Sequence, residues 1–194
     1  ALDVDGAGLG LAPNFGVAST ANTPFNAETS DTLWTGKIQL DWKPNDDWLV
    51  YFGINRGVKA GSFNGPLADG SQIPLTSLPY DEEVLLAYEG GFKTTLFEGK
   101  ARLNGSAYYY DYSDYQAFTF TNVSGIITNE DATVKGLELE LTATPTDALD
   151  MIFGFSFVDA NVEDVEVAPG IFRDVEPTFT PKYQLSGLVR YTWP

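Results

Sequence analysis

Apolar and polar side chains alternate with a period of two residues through most of the sequence, and helical periodicity is hard to find. In residues 149–159, for example, one face carries Leu149, Met151, Phe153, Phe155 and Phe157, and the other carries Asp150, Gly154 and Ser156. This pattern predicts an all-β fold. The seven predicted strands cover residues 32–42, 48–59, 83–94, 101–121, about 127–143, 149–159 and 182–193.

Short connections alternate with mostly long ones between these predicted strands. The short connections are 43–47, 96–100 and 145–148. The other connections are 60–82, about 122–126 and 160–181, and two of these are long and rich in Gly, Pro, Asp and Ser. Residues 1–31 form another long connection in this interpretation. The alternation favours antiparallel strands with turns at one end of the sheet and loops at the other.

Aromatic residues lie at both ends of the apolar faces. Trp34 and Trp42 are eight residues apart on one face, and Tyr183 and Trp193 are ten apart on another. At about 3.3 Å per residue and a tilt of about 40°, these spacings span roughly 20 and 25 Å. An outer-membrane barrel has an apolar band about 25 Å tall between two aromatic girdles. The residues predicted at the membrane interface are Trp34, Trp42, Trp48, Tyr183, Tyr191 and Trp193.

The opposite faces carry charged residues in the middle of strands, namely Lys37, Asp41, Glu89, Lys93, Arg102, Glu138, Glu140 and Arg190. A charged face behind an apolar one suits a strand with lipid outside and a wet lumen inside, so we predict antiparallel transmembrane β-barrel strands. The alternative is a soluble, lectin-like carbohydrate-binding module, in which the charged face is the solvent face. A sandwich gives no reason for aromatic residues at both ends of one face.

The composition excludes several kinds of site. The chain has no Cys and no His, which removes disulfides, thiol chemistry, the usual zinc sites and Ser-His-Asp triads. The net charge of −16 argues against a nucleic-acid partner. We expect no enzyme activity, no cofactor and no metal site. The adjacent acids Asp81, Glu82 and Glu83 suit a charged loop end better than a glycosidase pair.

The segment DVDGAGLG contains Asp3, Asp5 and Gly6 in the style of a calcium loop. Ala7 stands where another acid is needed, and no Glu closes the loop. We therefore favour a solvated loop turn, and whether calcium binds near Asp3 and Asp5 stays open.

Motifs of a known family occur in order along the chain. NRGVKAGSFNG contains R-G-x-K-x-G-x-F-N at Arg56, Gly57, Lys59, Gly61, Phe63 and Asn64. Three further patterns follow along the chain, namely P-E, Y-E-x-G-x-K and F-Y-Y-x-Y-x-D-x-Q. The residues that match them are Glu83, Tyr88, Glu89, Gly91, Lys93, Tyr109, Tyr110, Tyr112, Asp114 and Gln116. A K-G-x-E-x-E motif falls on Lys135, Gly136, Glu138 and Glu140. Over roughly residues 32–194 the sequence resembles the barrel of TonB-dependent outer-membrane receptors.

One position departs from the family pattern, because Glu82 stands where Pro is usual. The resemblance implies a barrel of about twenty-two strands, an N-terminal plug and a short TonB-contacting segment. With about seven strands predicted here and neither other part recognised, we expect a piece from the later part of such a barrel. Residues 1–31 are then an extracellular loop segment, and residues 32–194 are a partial barrel with short periplasmic turns and long extracellular loops.

Such receptors bind a scarce nutrient, such as an iron–siderophore or cobalamin, and import it with energy delivered through TonB. The resemblance therefore implies as partners the lipid bilayer, lipopolysaccharide, TonB through the plug segment, and a small-molecule ligand. The predicted ligand-binding or lumen-lining residues are Arg56, Lys59, Asn64, Glu89, Lys93, Tyr108, Tyr110, Tyr112 and Tyr115. Ion pairs across the lumen wall and a girdle of interface tyrosines explain the same residues.

Overall fold

A computed structural model describes residues 2–3, 26–30, 32–64, 78–121, 124–168 and 170–193. The described residues contain no helix that is long and apolar enough to cross a membrane. Their regular elements are strands: β1 (Leu2–Asp3), β2 (Asn26–Ala27), β3 (Gly36–Asn45), β4 (Trp48–Lys59), β5 (Ser62–Phe63), β6 (Pro79–Tyr80), β7 (Glu83–Leu96), β8 (Ala101–Thr121), β9 (Ser124–Thr146), β10 (Leu149–Ala168), β11 (Ile171–Val175) and β12 (Tyr183–Tyr191). Asp5, of the calcium-loop pattern, lies outside the described residues.

Eight of these strands form one sheet in the order β11-β10-β9-β8-β7-β4-β3, with β12 pairing with β10 as well. The β3–β4, β9–β10, β10–β11 and β10–β12 pairs are all antiparallel. Two further antiparallel pairs, β1–β2 and β5–β6, each contain two residues per strand. The prediction of an all-β, antiparallel fold is therefore confirmed.

Most of the predicted strands have the right position. The bounds of β4 and β8 agree with the prediction, and the three short connections are confirmed as the turns β3–β4, β7–β8 and β9–β10. In the β7–β8 turn, Phe97, Glu98 and Gly99 all have positive φ angles, of 54°, 56° and 92°. A tight antiparallel turn needs this left-handed backbone to match the twist of its strands.

The predicted connection over 160–181 is wrong for much of its length. Strand β10 continues to Ala168, and β11 pairs back onto it, with Val162 opposite Val175 and Val165 opposite Arg173. The register shifts between Val162 and Val165, where Asp164 has a φ of 51°. This bulge interrupts the two-residue alternation, and the acidic residues around it gave the segment the composition of a loop.

The chain divides into two compact units. The first unit comprises Ala1–Trp34, Val58–Val84 and Ser113–Asp131, and the second comprises Thr35–Gly57, Leu85–Tyr112 and Ala132–Pro194. In the second unit the register separates two faces, because residues directly opposite one another share a face. Its polar face has Ser156 opposite Glu138 and Gln184, and its apolar face has Phe155 opposite Leu139 and Leu185.

Few large apolar side chains are buried among the described residues. The buried apolar residues are Leu78, Ala87, Ala101, Ala117, Ala132, Ala160 and Val162. In contrast, Ile38 is 79% exposed and Leu185 is 83% exposed, both on apolar rows of their strands. The large apolar residues therefore lie on a surface and do not form an interior core.

Close packing on the polar face explains one motif glycine. A Cβ atom on Gly91 would lie 2.5 Å from the carbonyl oxygen of Gly105 and 2.7 Å from the hydroxyl of Tyr51. A Cβ atom on Gly53 would lie 3.5 Å from the nearest atom, the carbonyl oxygen of Ile38, which is an ordinary contact. Of these two glycines, Gly91 is therefore the one without room for a side chain.

We expect Gly91→Ala to lower the free energy of unfolding by about 1–3 kcal/mol, because the backbone must move to admit the methyl group. Gly53→Ala is the matched control, and we expect it to be close to neutral. Thermal unfolding of both variants in detergent micelles measures the difference. Equal melting temperatures for the two variants would contradict this account of Gly91.

Candidate functional site

A hollow of about 420 Å³ lies on the second unit. Its polar lining comes from several strands of the sheet and includes Lys93, Asn104, Ser106, Glu138, Glu140 and Gln184. Gly154 contributes no side chain and so leaves space beside Ser186, where a Cβ atom would lie 2.6 Å from the hydroxyl oxygen. The hollow presents hydroxyls, carboxamides, two carboxylates and one ammonium, which together suit a polar ligand.

The second unit contains two side-chain pairs that involve tyrosine. The hydroxyl of Tyr51 donates a hydrogen bond to Oε1 of Glu89 over 2.9 Å, in the space that Gly91 leaves open. The rings of Tyr108 and Tyr110 stack with their centroids 4.7 Å apart. The Tyr108 hydroxyl packs against Gly136, the glycine of the K-G-x-E-x-E motif, where a side chain would overlap it.

The predicted site residues do not form one cluster. Lys93 lines the hollow, and Glu89, Tyr108 and Tyr110 belong to the same unit. Arg56 lies opposite Gly36, in the row of β4 that also contains Ile54 and Phe52. Of the nine predicted ligand-binding or lumen-lining residues, Lys93 is the one that lines the hollow.

The remaining predicted residues have other surroundings. Lys59 is in the first unit, where its ammonium lies 3.9 Å from Oε2 of Glu83. Asn64 is buried in the same unit, and its carboxamide bonds to the backbone of Ile127. Tyr115 is half-buried in the first unit, and Tyr112 is half-buried in the second. Contact of any predicted residue with a ligand stays a prediction.

All six predicted interface aromatics are exposed. Trp34, Trp42, Tyr183 and Trp193 are each more than 60% exposed, and Trp48 and Tyr191 are exposed to a lesser degree. Some of them also contact another aromatic ring: Trp48 lies 5.8 Å from Phe92, Tyr183 lies 5.3 Å from Phe157, and Tyr191 lies 4.6 Å from Trp193, between ring centroids.

Sequence reasoning left several of these functional groups out of the site. Tyr51, Glu138 and Glu140 line the hollow, together with Gln184. The sequence pattern could have indicated these residues, because each occupies a polar position in an alternating strand. What the alternation cannot give is which strands are neighbours, and hence that β4, β7, β8, β9, β10 and β12 all contribute to one hollow.

Four carboxylates lie together in the first unit. Burial raises the pKa of Asp114 above its ordinary value of 3.8, and the charges of Asp131, Asp81 and Glu82 raise it further. Asp114 lies on β8 beyond the alternating row that ends near Tyr109, and its φ of 55° is in the left-handed region. A carboxyl whose pKa is higher in the folded chain destabilises that state once the pH exceeds its unfolded value.

We expect Asp114→Asn to stabilise the first unit at neutral pH and to give no gain below about pH 4, where the unfolded chain is also protonated. Asn tolerates the left-handed backbone at this position, so the change adds no strain. Denaturant unfolding measured from acid to neutral pH tests this. Asp111→Asn removes the same charge from another exposed position on β8, one that is not among the four carboxylates, and an equal gain in that control would contradict the assignment to Asp114.

The chain was compared with protein families and solved structures. Residues 9–194 match the family model for the TonB-dependent receptor-like β-barrel. The ferric yersiniabactin uptake receptor FyuA from Yersinia pestis is similar at 20% identity and a TM-score of 0.60, over 80% of this chain and 22% of that one. The structure of the FpvAI–pyocin S2 complex is similar at 14% identity and a TM-score of 0.59, over 89% of this chain and 22% of that one.

At these identities the two structures show a shared fold and no more. This chain spans 22% of the length of each of these two structures. The family match extends over nearly all of the sequence, from residue 9 to residue 194, and agrees with the antiparallel sheet and with the motif resemblance. The chain belongs to the TonB-dependent receptor-like β-barrel family.

Proposed function

We propose that this chain is part of the wall of an outer-membrane active transporter in a Gram-negative bacterium. The transporter binds a scarce nutrient, such as an iron–siderophore or cobalamin, and imports it with energy delivered through TonB. The plug and the segment that contacts TonB belong to other parts of such a receptor. In this function the chain performs no covalent chemistry and is not an enzyme.

The observation that carries this proposal is the separation of the two faces across β9, β10 and β12. Leu137, Leu139 and Leu141 of β9 lie opposite Phe157, Phe155 and Phe153 of β10. On the same strands, Glu138 and Glu140 lie opposite Ser156 and Gly154. A sheet with an apolar surface this exposed needs an apolar solvent on that side, and a bilayer provides one.

Charges end the apolar face at one side. After the aromatic pair of Phe157 and Tyr183, the next residues on this face are Lys135 and Asp159, joined over 3.1 Å, and Lys182 lies 3.6 Å from Asp159. At the other side, Tyr191 lies opposite Leu149. We place the hydrocarbon between these limits, with the lysines at the level of lipopolysaccharide and the lipid headgroups.

The polar face provides the path for the ligand. Lys93, Glu89, Tyr108 and Tyr110 are the predicted residues that the second unit carries there, and the hollow adds Glu138 and Glu140. Stacked tyrosine rings and mixed charges suit an aromatic or chelating nutrient better than a plain anion. The name of the FyuA structure describes a ferric siderophore receptor, which makes ferric siderophores the first ligands to test here.

The soluble lectin-like module stays the alternative, and the two adjacent residues Gln184 and Leu185 separate it from the transporter. We expect Leu185→Arg to weaken folding into the bilayer by about 1–3 kcal/mol, because a guanidinium in hydrocarbon is poorly solvated and Leu185 lies between the interface and the bilayer midplane. Gln184→Arg is the matched control on the polar face, and we expect it to assemble normally. Heat-modifiable mobility of the receptor in outer-membrane fractions measures assembly.

If the chain folded in water with these strand surfaces exposed, the same two substitutions would be nearly equivalent, since Leu185 is 83% exposed and an exposed Leu tolerates Arg. Normal assembly of Leu185→Arg would therefore overturn the membrane-spanning assignment.

Transport itself is tested by uptake in cells. We expect cells that carry the intact receptor to accumulate radiolabelled iron from at least one of a panel of ferric hydroxamate, catecholate and phenolate siderophores. Accumulation should stop when the proton-motive force is collapsed, whereas binding to the cell surface should persist. Labelled cobalamin is the parallel probe. Uptake that continues without the proton-motive force would contradict the TonB-coupled mechanism.

A further inference from the structure

Three carboxamide side chains of the first unit bond to backbone groups of separate segments. They are Asn64, Gln116 and Asn129. Asn64 is 5% exposed and Gln116 is 7% exposed, so both are largely removed from water. Buried carboxamides are retained at low cost only when their hydrogen bonds are satisfied, so their partners indicate what they hold.

Asn64 joins the end of β5 to β9. Its Nδ2 donates to the carbonyl oxygen of Ile127 over 2.9 Å, and its Oδ1 accepts from the Ile127 N–H over 2.7 Å. The backbone N–H of Asn64 donates to the carbonyl oxygen of Leu78 over 2.7 Å. The side chain thus pairs with one residue of β9 in the way that a peptide group of a neighbouring strand would.

Asn129 makes the same reciprocal pair with Asp81. Its Oδ1 accepts from the Asp81 N–H over 2.8 Å, and its Nδ2 donates to the carbonyl oxygens of Asp81 and Asp114 over 3.2 and 2.8 Å. This one side chain therefore joins β9 to β8 and to the residue that follows β6.

Gln116 completes the set from β8. Its Nε2 donates to the carbonyl oxygens of Ala60 and Asp81 over 3.0 and 3.1 Å. Its backbone N–H donates to Oε2 of Glu83 over 2.9 Å. Three side chains thereby connect segments 60–64, 78–83, 114–116 and 127–129.

We propose that Asn64, Gln116 and Asn129 form an amide clasp that holds these four segments of the first unit together as one piece. The carboxamide is suited to this because it donates and accepts without charge, whereas the carboxylates of Asp81 and Asp114 nearby repel one another. The clasp therefore does not depend on salt or on the titration of its neighbours.

The three side chains are positioning residues. Asn64 and Leu78 flank residues 65–77, so the clasp sets the separation of the two ends of that connection. If the connections between strands build the ligand site, the clasp fixes the base of one of them. That consequence rests on the proposed function, whereas the clasp itself does not.

Gln116→Glu tests the clasp through its pH dependence. The new side chain is charged at about pH 7.5, so it has no proton for the Ala60 and Asp81 carbonyls and is repelled by Glu83. We expect the N–H groups of Asp81 and Ile127 to exchange with deuterium about tenfold faster than in the parent receptor. At about pH 5, protonation restores one donor, and we expect the acceleration to diminish.

Two further variants complete the experiment, which uses the purified receptor in detergent micelles. Gln116→Met loses both donors at any pH, so its acceleration should be the same at both pH values. Gln184→Glu places a carboxylate on an exposed residue of the second unit and should leave these amides unchanged. Parent-like exchange in Gln116→Glu at neutral pH, or an acceleration that does not depend on pH, would overturn the clasp.

If Gln116→Met folds poorly, a disulfide across the β5–β6 pair provides a second test of the clasp. Ser62 and Tyr80 lie directly opposite one another in the β5–β6 pair, and the chain has no Cys of its own. Ser62→Cys combined with Tyr80→Cys can therefore be oxidised to a disulfide that joins β5 to β6 again. We expect the protection of the Asp81 N–H from hydrogen exchange to return. No return of protection would overturn the clasp. These measurements need no ligand, so their failure would leave the uptake and bilayer experiments unaffected.

Discussion

The cross-strand register of β9, β10 and β12 is the constraint on which the rest of the structure depends. Phe155 faces Leu139 on one side and Leu185 on the other, and this alignment places Glu138, Ser156 and Gln184 together on the opposite face. A shift of one residue in β9 would move Glu138 and Glu140 onto the apolar surface, and a shift of one residue in β12 would move Gln184 there. The separation of polar and apolar side chains onto the two faces of the sheet is therefore a property of strand pairing, and no single residue produces it.

The strands were predictable because their determinants are local. In β4, alternation continues up to the glycine-rich segment that follows it, and the predicted bounds of both β4 and β8 agree with the structure. In β10, by contrast, the bulge at Asp164 breaks the alternation, and only pairing with β11 shows that Val165 and Glu166 belong to a strand. A strand that is specified by its partner cannot be recognised from its own residues.

The site was harder to predict than the fold for the same reason. The motif patterns include Gly91, Lys93, Asn64 and Gln116, but they give no information about the partners of these residues. Lys93 lines a polar hollow, whereas Asn64 bonds to the backbone of Ile127, which is 63 residues away in the chain. Two polar residues of similar appearance in the sequence thus have different roles, and the difference arises from contacts between distant segments.

The choice of carboxamides in the first unit follows from the charge of the chain. With 27 acidic and 11 basic residues, few cations are present to pair with the carboxylates of Asp81, Asp114 and Asp131. Lys59 approaches Glu83 only to 3.9 Å and is itself largely exposed, so this ion pair contributes little to stability. Uncharged hydrogen bonds from Asn64, Gln116 and Asn129 hold strand ends together where ion pairs are few. The chain can therefore have an acidic surface and still hold the ends of its connecting segments in fixed positions.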